Sequence, residues 1–511
     1  MAAVWLAWIA RFQLNPDGVA YVEVARHWAA GDVSLAVNSW WSPMLSWLLV
    51  PFVWAGVPLT LASKLLNAVF GLGFAVAVSM VVKEVTGGAG VRIAFVAGLL
   101  VALVMLPFQL TPDVLLACVL TWYFALAMRL FRSVSPGLAA ATGLVGGTAY
   151  LVKAFALPFV LLHLTMTLLM KLWLTRAGAP GAIARQLAVA LAVLGLVAAP
   201  WIAAISMRDG TLTFSSAARH WSAWTPFPAP KPRLAYRYLQ EPREGRTTTW
   251  ENPMEVRHPW SVWSSFDGLG GMTSHARTIV QNIRNLPYVL GTVDWLGLLP
   301  AGFVVALVLL VPLRDTLKTT QGILLLWTCL SVLLFLGGYM LAIVLSRYTW
   351  PIRGLLLALV IAGPAFLGHG GGDRVARWHR VLLFVLLACL ALKVEETFYH
   401  ARIQRSISAS WKDAGEAFVP GCRFAGAEYM SGLYVTFWAR GVYLGELDGK
   451  TAEAVAEELR PFGPATVLVP RDHGLTRALA SDATFTPLKL DSPAFQAFGF
   501  AGGGCRLRAE S

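Results

Sequence analysis

Apolar residues fall in long runs separated by short polar intervals, and ten of these runs approach the roughly 20 residues that a helix needs to cross a bilayer. They lie near 60–82, 93–108, 113–131, 137–152, 155–173, 186–206, 292–313, 320–345, 349–367 and 379–397. Residues 1–14 read as the stump of one more, and the apolar stretch 43–57 as a helix on the membrane surface. Between them, Val19, Val22, Ala25 and Trp28 recur at helical spacing, which predicts an amphipathic helix lying on the membrane. Past about 398 the pattern changes: Val455, Leu459 and Phe462 mark a helix and 465–469 a strand. A second helix near 472–481 and strands near 484–490 and 495–500 follow, together a small α/β domain outside the membrane. The expected fold class is thus mainly α, a polytopic helix bundle over 1–397 with an extracytoplasmic α/β domain over 398–511.

Composition agrees with this pattern. Of 511 residues, 57% are hydrophobic and 14% charged, which suits a membrane protein and not a soluble core. The net charge of +13 does not indicate a nucleic-acid partner, because Lys and Arg are scattered among short loops instead of forming one basic face. They occupy alternate loops: Lys83/Arg92, Arg129/Arg132, Lys171/Arg176/Arg185, Arg314/Lys318 and Arg374/Arg377/Arg380. Those loops are expected to be cytoplasmic. With 43–57 on the surface, the ten runs and the stump make eleven crossings and place 15–59, 207–291 and the residues after 398 on the far side. The loop 207–291 is rich in Pro, Trp and Arg with little periodicity, fitting a lid, a binding segment or a plain surface loop.

Acidic residues are scarce. The first 205 residues hold only Asp17, Glu23, Asp32, Glu84 and Asp113, and Asp17 and Asp113 fall at the outward ends of apolar segments. A carboxylate at a membrane boundary is a functional candidate. Each also has an ordinary reading: Asp17 as an N-cap, and Thr111-Pro112-Asp113 as a common helix start. Lys153, the only cation between Arg132 and Lys171, and Arg347 in Ser346-Arg347-Tyr348 share the outer surface in this topology. A snorkelling lysine is the alternative for Lys153. Carboxylates can act as a base or hold a metal, while Lys and Arg complement a phosphate. Glu23 and Asp32 read first as solvated face residues, His163 as a packed or hydrogen-bonded core residue. Arg219, His220, Arg257 and His258 read as solvated loop residues, and Trp221, Trp224, Trp250, Trp260 and Trp263 either as sugar-stacking rings or as an interfacial belt. Cys118, Cys329 and Cys389 sit in apolar runs, whereas Cys422 and Cys505 fall in the outer domain, where an oxidising exterior permits a disulfide.

Taken in order, Asp17-x-x-x-Tyr21-x-x-x-Ala25, Ser42-Pro43, Thr111-Pro112-Asp113, Gly147-x-Ala149-Tyr150-Leu151-x-Lys153 and Arg347-Tyr348-x-x-Pro351 resemble a known group. It is the GT-C superfamily of membrane glycosyltransferases, in particular the bacterial branch similar to protein O-mannosyltransferases and the lipid A aminoarabinose transferase. The resemblance covers most of residues 1–400. It implies transfer of a sugar from a polyprenyl-phosphate carrier to an extracytoplasmic lipid, glycan or protein, in a bacterial inner membrane with the site facing the periplasm or exterior. By position it makes Asp17 the first-loop catalytic aspartate, as base or as contact to a divalent metal ion, the one candidate cofactor. Asp113 becomes a second carboxylate at the site, Lys153 a lysine near the carrier phosphate, and Arg347 with Tyr348 the element beside the donor. Tyr21 and Glu23 are candidate first-loop contacts. The chain departs from relatives at Gly18, where an acid commonly follows the aspartate, and at Trp41-Ser42, where the aminoarabinose branch has Glu-Lys. A transporter or flippase is the rival class, but it predicts an internal repeat, and none is visible in the sequence.

Overall fold

The computed structural model describes residues 1–107, 110–175, 179–217, 237–256, 267–291, 319–363, 373–502 and 505–508. A short helix α1 (Ala2–Ile9) leads to α2 (Pro16–Ala30), the single turn α3 (Val33–Ala36) and α4 (Met44–Trp54). At 11 residues and about 1.5 Å per residue, α4 is too short to span a bilayer, as its surface assignment requires. The bundle follows with α5 (Leu59–Thr86), α6 (Val91–Met105), α7 (Asp113–Arg132), α8 (Pro136–Val152), α9 (Ala156–Met170) and α10 (Pro180–Asp209). It continues with α11 (Gly268–Gly291), α12 (Thr320–Met340), α13 (Trp350–Ile361) and α14 (Asp373–Glu416). Among the described residues, five helices are long and apolar enough to cross a membrane, and α4, α6 and α8 are shorter apolar helices. The span expected at 292–313 lies outside the described residues.

One cap and one close approach set α8 in the bundle. Ser135 caps α8 by accepting from the Leu138 amide at 3.3 Å, with Pro136 in the first turn. At Gly143 a Cβ would lie 2.2 Å from the Ala190 carbonyl oxygen, so α8 and α10 meet backbone to backbone. This contact fixes the end of α8, and with it Lys153. The main core gathers α5 to α9 and α12 to α14 around Phe74, Tyr123, Phe124, Trp327 and Trp350.

Helix α14 runs for 44 residues, about 66 Å at 1.5 Å per residue, and passes straight through the domain boundary expected at 398. No proline, and no glycine before Gly415, interrupts it, so the polar stretch after the apolar run continues the helix instead of ending it. Beyond it lies a five-stranded sheet of β1 (Arg423–Gly426), β2 (Val442–Glu446), β3 (Ala465–Pro470), β4 (Phe485–Leu488) and β5 (Phe495–Phe500). Its order is β2-β1-β3-β5-β4, with β1 parallel to β2 and β3, and β5 antiparallel to β3 and β4. Helices α15 (Tyr429–Ala439), α16 (Ala452–Leu459) and α17 (Leu475–Ala480) cover it. The strand and two helices of 455–481 match their sequence pattern. β1, α15 and β2 were not evident, since 423–446 is buried on nearly every residue and has no period to read.

The expected surface position of α2 is corrected. Val19, Ala20, Tyr21, Val22, Glu23, Val24 and Ala25 are all buried, and Val19, Tyr21, Val22 and Ala25 share a core with Phe424, Tyr429, Leu433 and Tyr434 of the C-terminal domain. That domain takes the apolar stripe that the sequence set against the membrane, and the loop carrying Glu251 covers the polar side with His27 and Glu23. Glu23 is therefore 4% exposed, not a solvated residue, and its carboxylate meets Arg26 at 2.5 Å.

Candidate active site

Four charged side chains from four segments converge at one end of the bundle. Pro16 opens α2, and Asp17 sits in its first turn rather than capping it, since Asn15 holds the cap position. The Asn15 side-chain oxygen instead accepts from the Leu110 amide at 2.8 Å and ties α2 to the entry of α7. The two segments touch so closely that a Cβ at residue 18 would lie 2.7 Å from the Leu110 Cβ; only glycine fits, and an acid cannot stand there.

Asp113 is 1% exposed in the first turn of α7, whose cap residue Pro112 offers no side-chain bond. Its carboxylate is committed elsewhere: Thr111 Oγ1 donates to Oδ2 at 2.6 Å and Lys153 Nζ to Oδ1 at 2.5 Å. Lys153 thus points inward to a carboxylate and is not a snorkelling lysine. Arg347, in the 3-10 turn Ser346–Thr349, donates from Nη2 to Asp17 Oδ2 at 2.7 Å and holds Nε 3.9 Å from Asp113 Oδ2. The Tyr348 ring lies 3.9 Å below Lys153 Nζ and stacks on Tyr339, which stacks on Phe155. This aromatic wall holds both cations in place.

The electrostatics follow from this packing. Burial alone would lower the Arg347 pKa, but the neighbouring Asp17 carboxylate, the Tyr348 hydroxyl and the Asp113 carboxylate more than offset it, and the guanidinium is held charged well above its ordinary range. Tyr21, buried beside the cluster, is pushed well up by desolvation and by the Asp17 and Asp113 charges, so its phenol stays protonated. Two carboxylates and two cations balance. The members differ in access: the Asp17 side chain is 19% exposed, Arg347 18% and Lys153 22%, against 2% for Asp113. Asp17 and Arg347 open onto a cleft of about 830 Å³ whose far wall is α14 and α15. Glu23 meets Arg26 and lies near His27 and Glu251, and among the described residues it makes no ion pair with the cluster.

This arrangement can be set against known structures. No protein-family model matches the sequence, and neither does any curated protein. ArnT from Cupriavidus metallidurans bound to undecaprenyl phosphate superimposes with a TM-score of 0.58 at 16% identity, over 99% of this chain and 98% of that one. Its apo form gives 0.56 at 15% identity over 97% of each chain. The oligosaccharyltransferase of Archaeoglobus fulgidus in the apo form gives 0.51 at 10% identity over 92% of this chain and 69% of that one. The chain shares the fold of these structures. With five apolar helices long enough to span, the chain is a multi-pass membrane protein.

Within this shared fold, two features of the site were missed in the sequence. The far wall of the cleft is a stripe of α14, Lys393, Thr397, His400, Gln404, Ser408 and Trp411, at helical spacing. That spacing was visible, but a stripe has no meaning until the helix is known to continue past 398. The other is Glu251, fully buried in the outer loop. Its carboxylate accepts from the Thr247 amide at 2.6 Å and hydroxyl at 2.8 Å, and meets His27 Nε2 of α2 at 2.8 Å, while Arg246 Nη1 lies 3.5 Å away. Burial would raise its pKa, yet the His27 hydrogen bond and charge and the Arg246 charge hold it below the usual glutamate range. Asn38 adds a bond to the Glu251 carbonyl. Trp250, 3% exposed, packs on Trp40 and Trp41, so it is neither a sugar platform nor part of a belt. Of the other candidates in this loop, Arg219, His220, Trp221, Trp224, Arg257, His258, Trp260 and Trp263 lie outside the described residues.

A group whose folded pKa is depressed stabilises the fold above its ordinary pKa, and that contribution is lost as pH falls through the folded value. Glu251→Gln is accordingly expected to lower stability near neutral pH by about 2–3 kcal/mol, the worth of charged hydrogen bonds. The gap to wild type should close as pH drops below the usual glutamate range. Thermal melts across pH check this, and equal melting temperatures at neutral pH would contradict it.

The remaining candidates are placed as follows. His163 is buried as a core residue, bonded to Tyr123 at 3.0 Å and Ser331 at 2.8 Å. Cys422 and Cys505, the candidate disulfide pair, are brought within hydrogen-bond reach of each other as thiols. Burial raises both. Among the described residues no group of three His, Cys, Asp or Glu converges to hold a metal. Asp17 has Arg347 against it and a glycine that must stay glycine beside it, so the donor set fits a divalent ion poorly.

Proposed function

We propose that this chain is an integral membrane glycosyltransferase that moves a sugar from a polyprenyl-phosphate carrier to a hydroxyl of an extracytoplasmic lipid, glycan or protein. The observation that carries the reading is the convergence of Asp17, Asp113, Lys153 and Arg347 from four segments into one cluster beside a cleft, in a fold shared with ArnT bound to undecaprenyl phosphate. Asp17 accepts the proton of the acceptor hydroxyl as that oxygen attacks the anomeric carbon. The bond from the anomeric carbon to the phosphate oxygen breaks, its electron pair leaves with the carrier phosphate, and Lys153 and Arg347 neutralise the charge. Asp113 touches neither reactant; it orients Lys153 and, with Asp17, positions Arg347. Tyr348 backs both cations. The leaving group is already a phosphate, so little acid catalysis is asked of the protein.

The same reading puts the membrane-crossing part in a bacterial inner membrane with eleven crossings, and the first loop, the outer loop and the C-terminal domain on the periplasmic or exterior face. The alternate placement of Lys and Arg supports this orientation. A divalent ion at Asp17 would have to displace Arg347, whose guanidinium already supplies the positive charge. Transfer is therefore expected to proceed undiminished in EDTA. Loss of transfer on chelation, restored by magnesium or manganese, would assign the ion a role at Asp17 after all.

A further inference from the structure

A second cleft, of about 440 Å³, lies on the opposite side of α2 from the Asp17 site. One wall is apolar, from Val53 at the end of α4 through Val57 to Leu59 and Leu61 at the start of α5. Leu59 is the first residue of a membrane-length apolar helix, so this wall stands at a membrane boundary. The facing wall carries four cations from four segments: Arg11 after α1, Arg26 of α2, Lys412 near the end of α14 and Arg440 after α15. Two are spent on carboxylates, Arg26 on Glu23 and Lys412 on Glu416, each at 2.5 Å. Arg11 and Arg440 have no carboxylate partner among the described residues. Arg11 is fixed all the same, its guanidinium 4.0 Å from the Trp8 ring and 4.2 Å from the Phe12 ring, with a bond to the Trp8 carbonyl at 2.7 Å. Arg440 adopts a left-handed backbone at φ 52, where glycine would be cheaper.

A chain that holds one arginine between aromatic rings and another at a left-handed position, both facing one cleft and both short of counter-charge, has built a cationic site against an apolar wall. We propose that this cleft binds the phosphate headgroup of an anionic membrane lipid, with the first acyl segments against Val57 and Leu61 and the phosphate between Arg11 and Arg440. Arginine forks suit a phosphate. The volume is in the range of small-ligand sites, about 300–1,000 Å³. A merely snorkelling arginine would need neither ring on both sides nor a costly backbone conformation.

The test is native mass spectrometry of the full chain released from phosphatidylcholine nanodiscs containing a minor share of phosphatidylglycerol. Wild type is expected to retain phosphatidylglycerol over phosphatidylcholine, and Arg11→Gln/Arg440→Gly to retain it about 10²-fold less, from the loss of two charged hydrogen-bond donors. Arg440→Gly also relieves the left-handed strain, so folding is not at risk from that change, and undecaprenyl phosphate binding at the separate Asp17 cleft serves as the control that the variant is intact. Arg11→Lys, which keeps the charge but loses the fork and the stacking, should fall between wild type and the double variant. Equal retention by wild type and the double variant, or no preference of wild type for phosphatidylglycerol, would overturn the site.

Discussion

Asp17→Asn is expected to cut transfer of a labelled sugar from a polyprenyl-phosphate donor by about 10²–10⁴-fold, the share that a positioned general base supplies. The substitution isolates chemistry from architecture. Asp17 does not cap α2, and the Asn amide oxygen can still accept the Arg347 bond that the carboxylate now receives at 2.7 Å. Arg347 also keeps Asp113 at 3.9 Å. A partly exposed pair of this kind contributes little to stability, so the melting temperature should hold while the rate collapses. Transfer at the wild-type rate would remove Asp17 from the mechanism.

Lys153→Met is expected to damage both binding and folding, because Lys153 is the main counter-charge of a carboxylate that is 2% exposed. Breaking such a buried pair costs about 3–5 kcal/mol, with the low end favoured here since Arg347 stays within reach of Asp113. The double variant Asp113→Asn/Lys153→Met removes both charges and should recover most of the stability without recovering donor binding. That split separates the two roles of Lys153: the partner of Asp113, and a cation offered to the carrier phosphate. Melting curves and donor affinity measured on all three proteins decide it. Full donor affinity in the stable double variant would leave Lys153 with only its structural part.

The bundle and the identity of the cluster were legible because both rest on one-dimensional signals. Apolar runs of membrane length announce helices wherever they occur, and a scarcity of acids makes each boundary aspartate conspicuous. Pairing was not legible. That Lys153 serves Asp113 while Arg347 spans both aspartates depends on the approach of α8 to α10 at Gly143 and of α2 to Leu110 at Gly18, distances that no periodicity encodes. Burial by distant chain misled the reading of α2 in the same way: its apolar stripe packs on a strand and helix some four hundred residues downstream, and Glu23 looked solvated because the loop carrying Glu251 folds back near it. Glu251 was hidden for a related reason, being one acid in an irregular loop until His27 and Arg246 are placed beside it. The reach of α14 past 398 was, by contrast, available in principle, as the absence of proline and early glycine was there to be read.

The central claim is that the paired cations of this cluster receive a lipid-linked phosphate. Equilibrium binding of tritiated undecaprenyl phosphate to the purified full chain in detergent tests it most directly, with wild type compared against Lys153→Met/Arg347→Gln. Wild type is expected to bind saturably, and the double variant with affinity at least about 10²-fold weaker, since charge-assisted bonds from both donors are lost. Equal affinity in the two proteins, or no saturable binding by wild type, would contradict it.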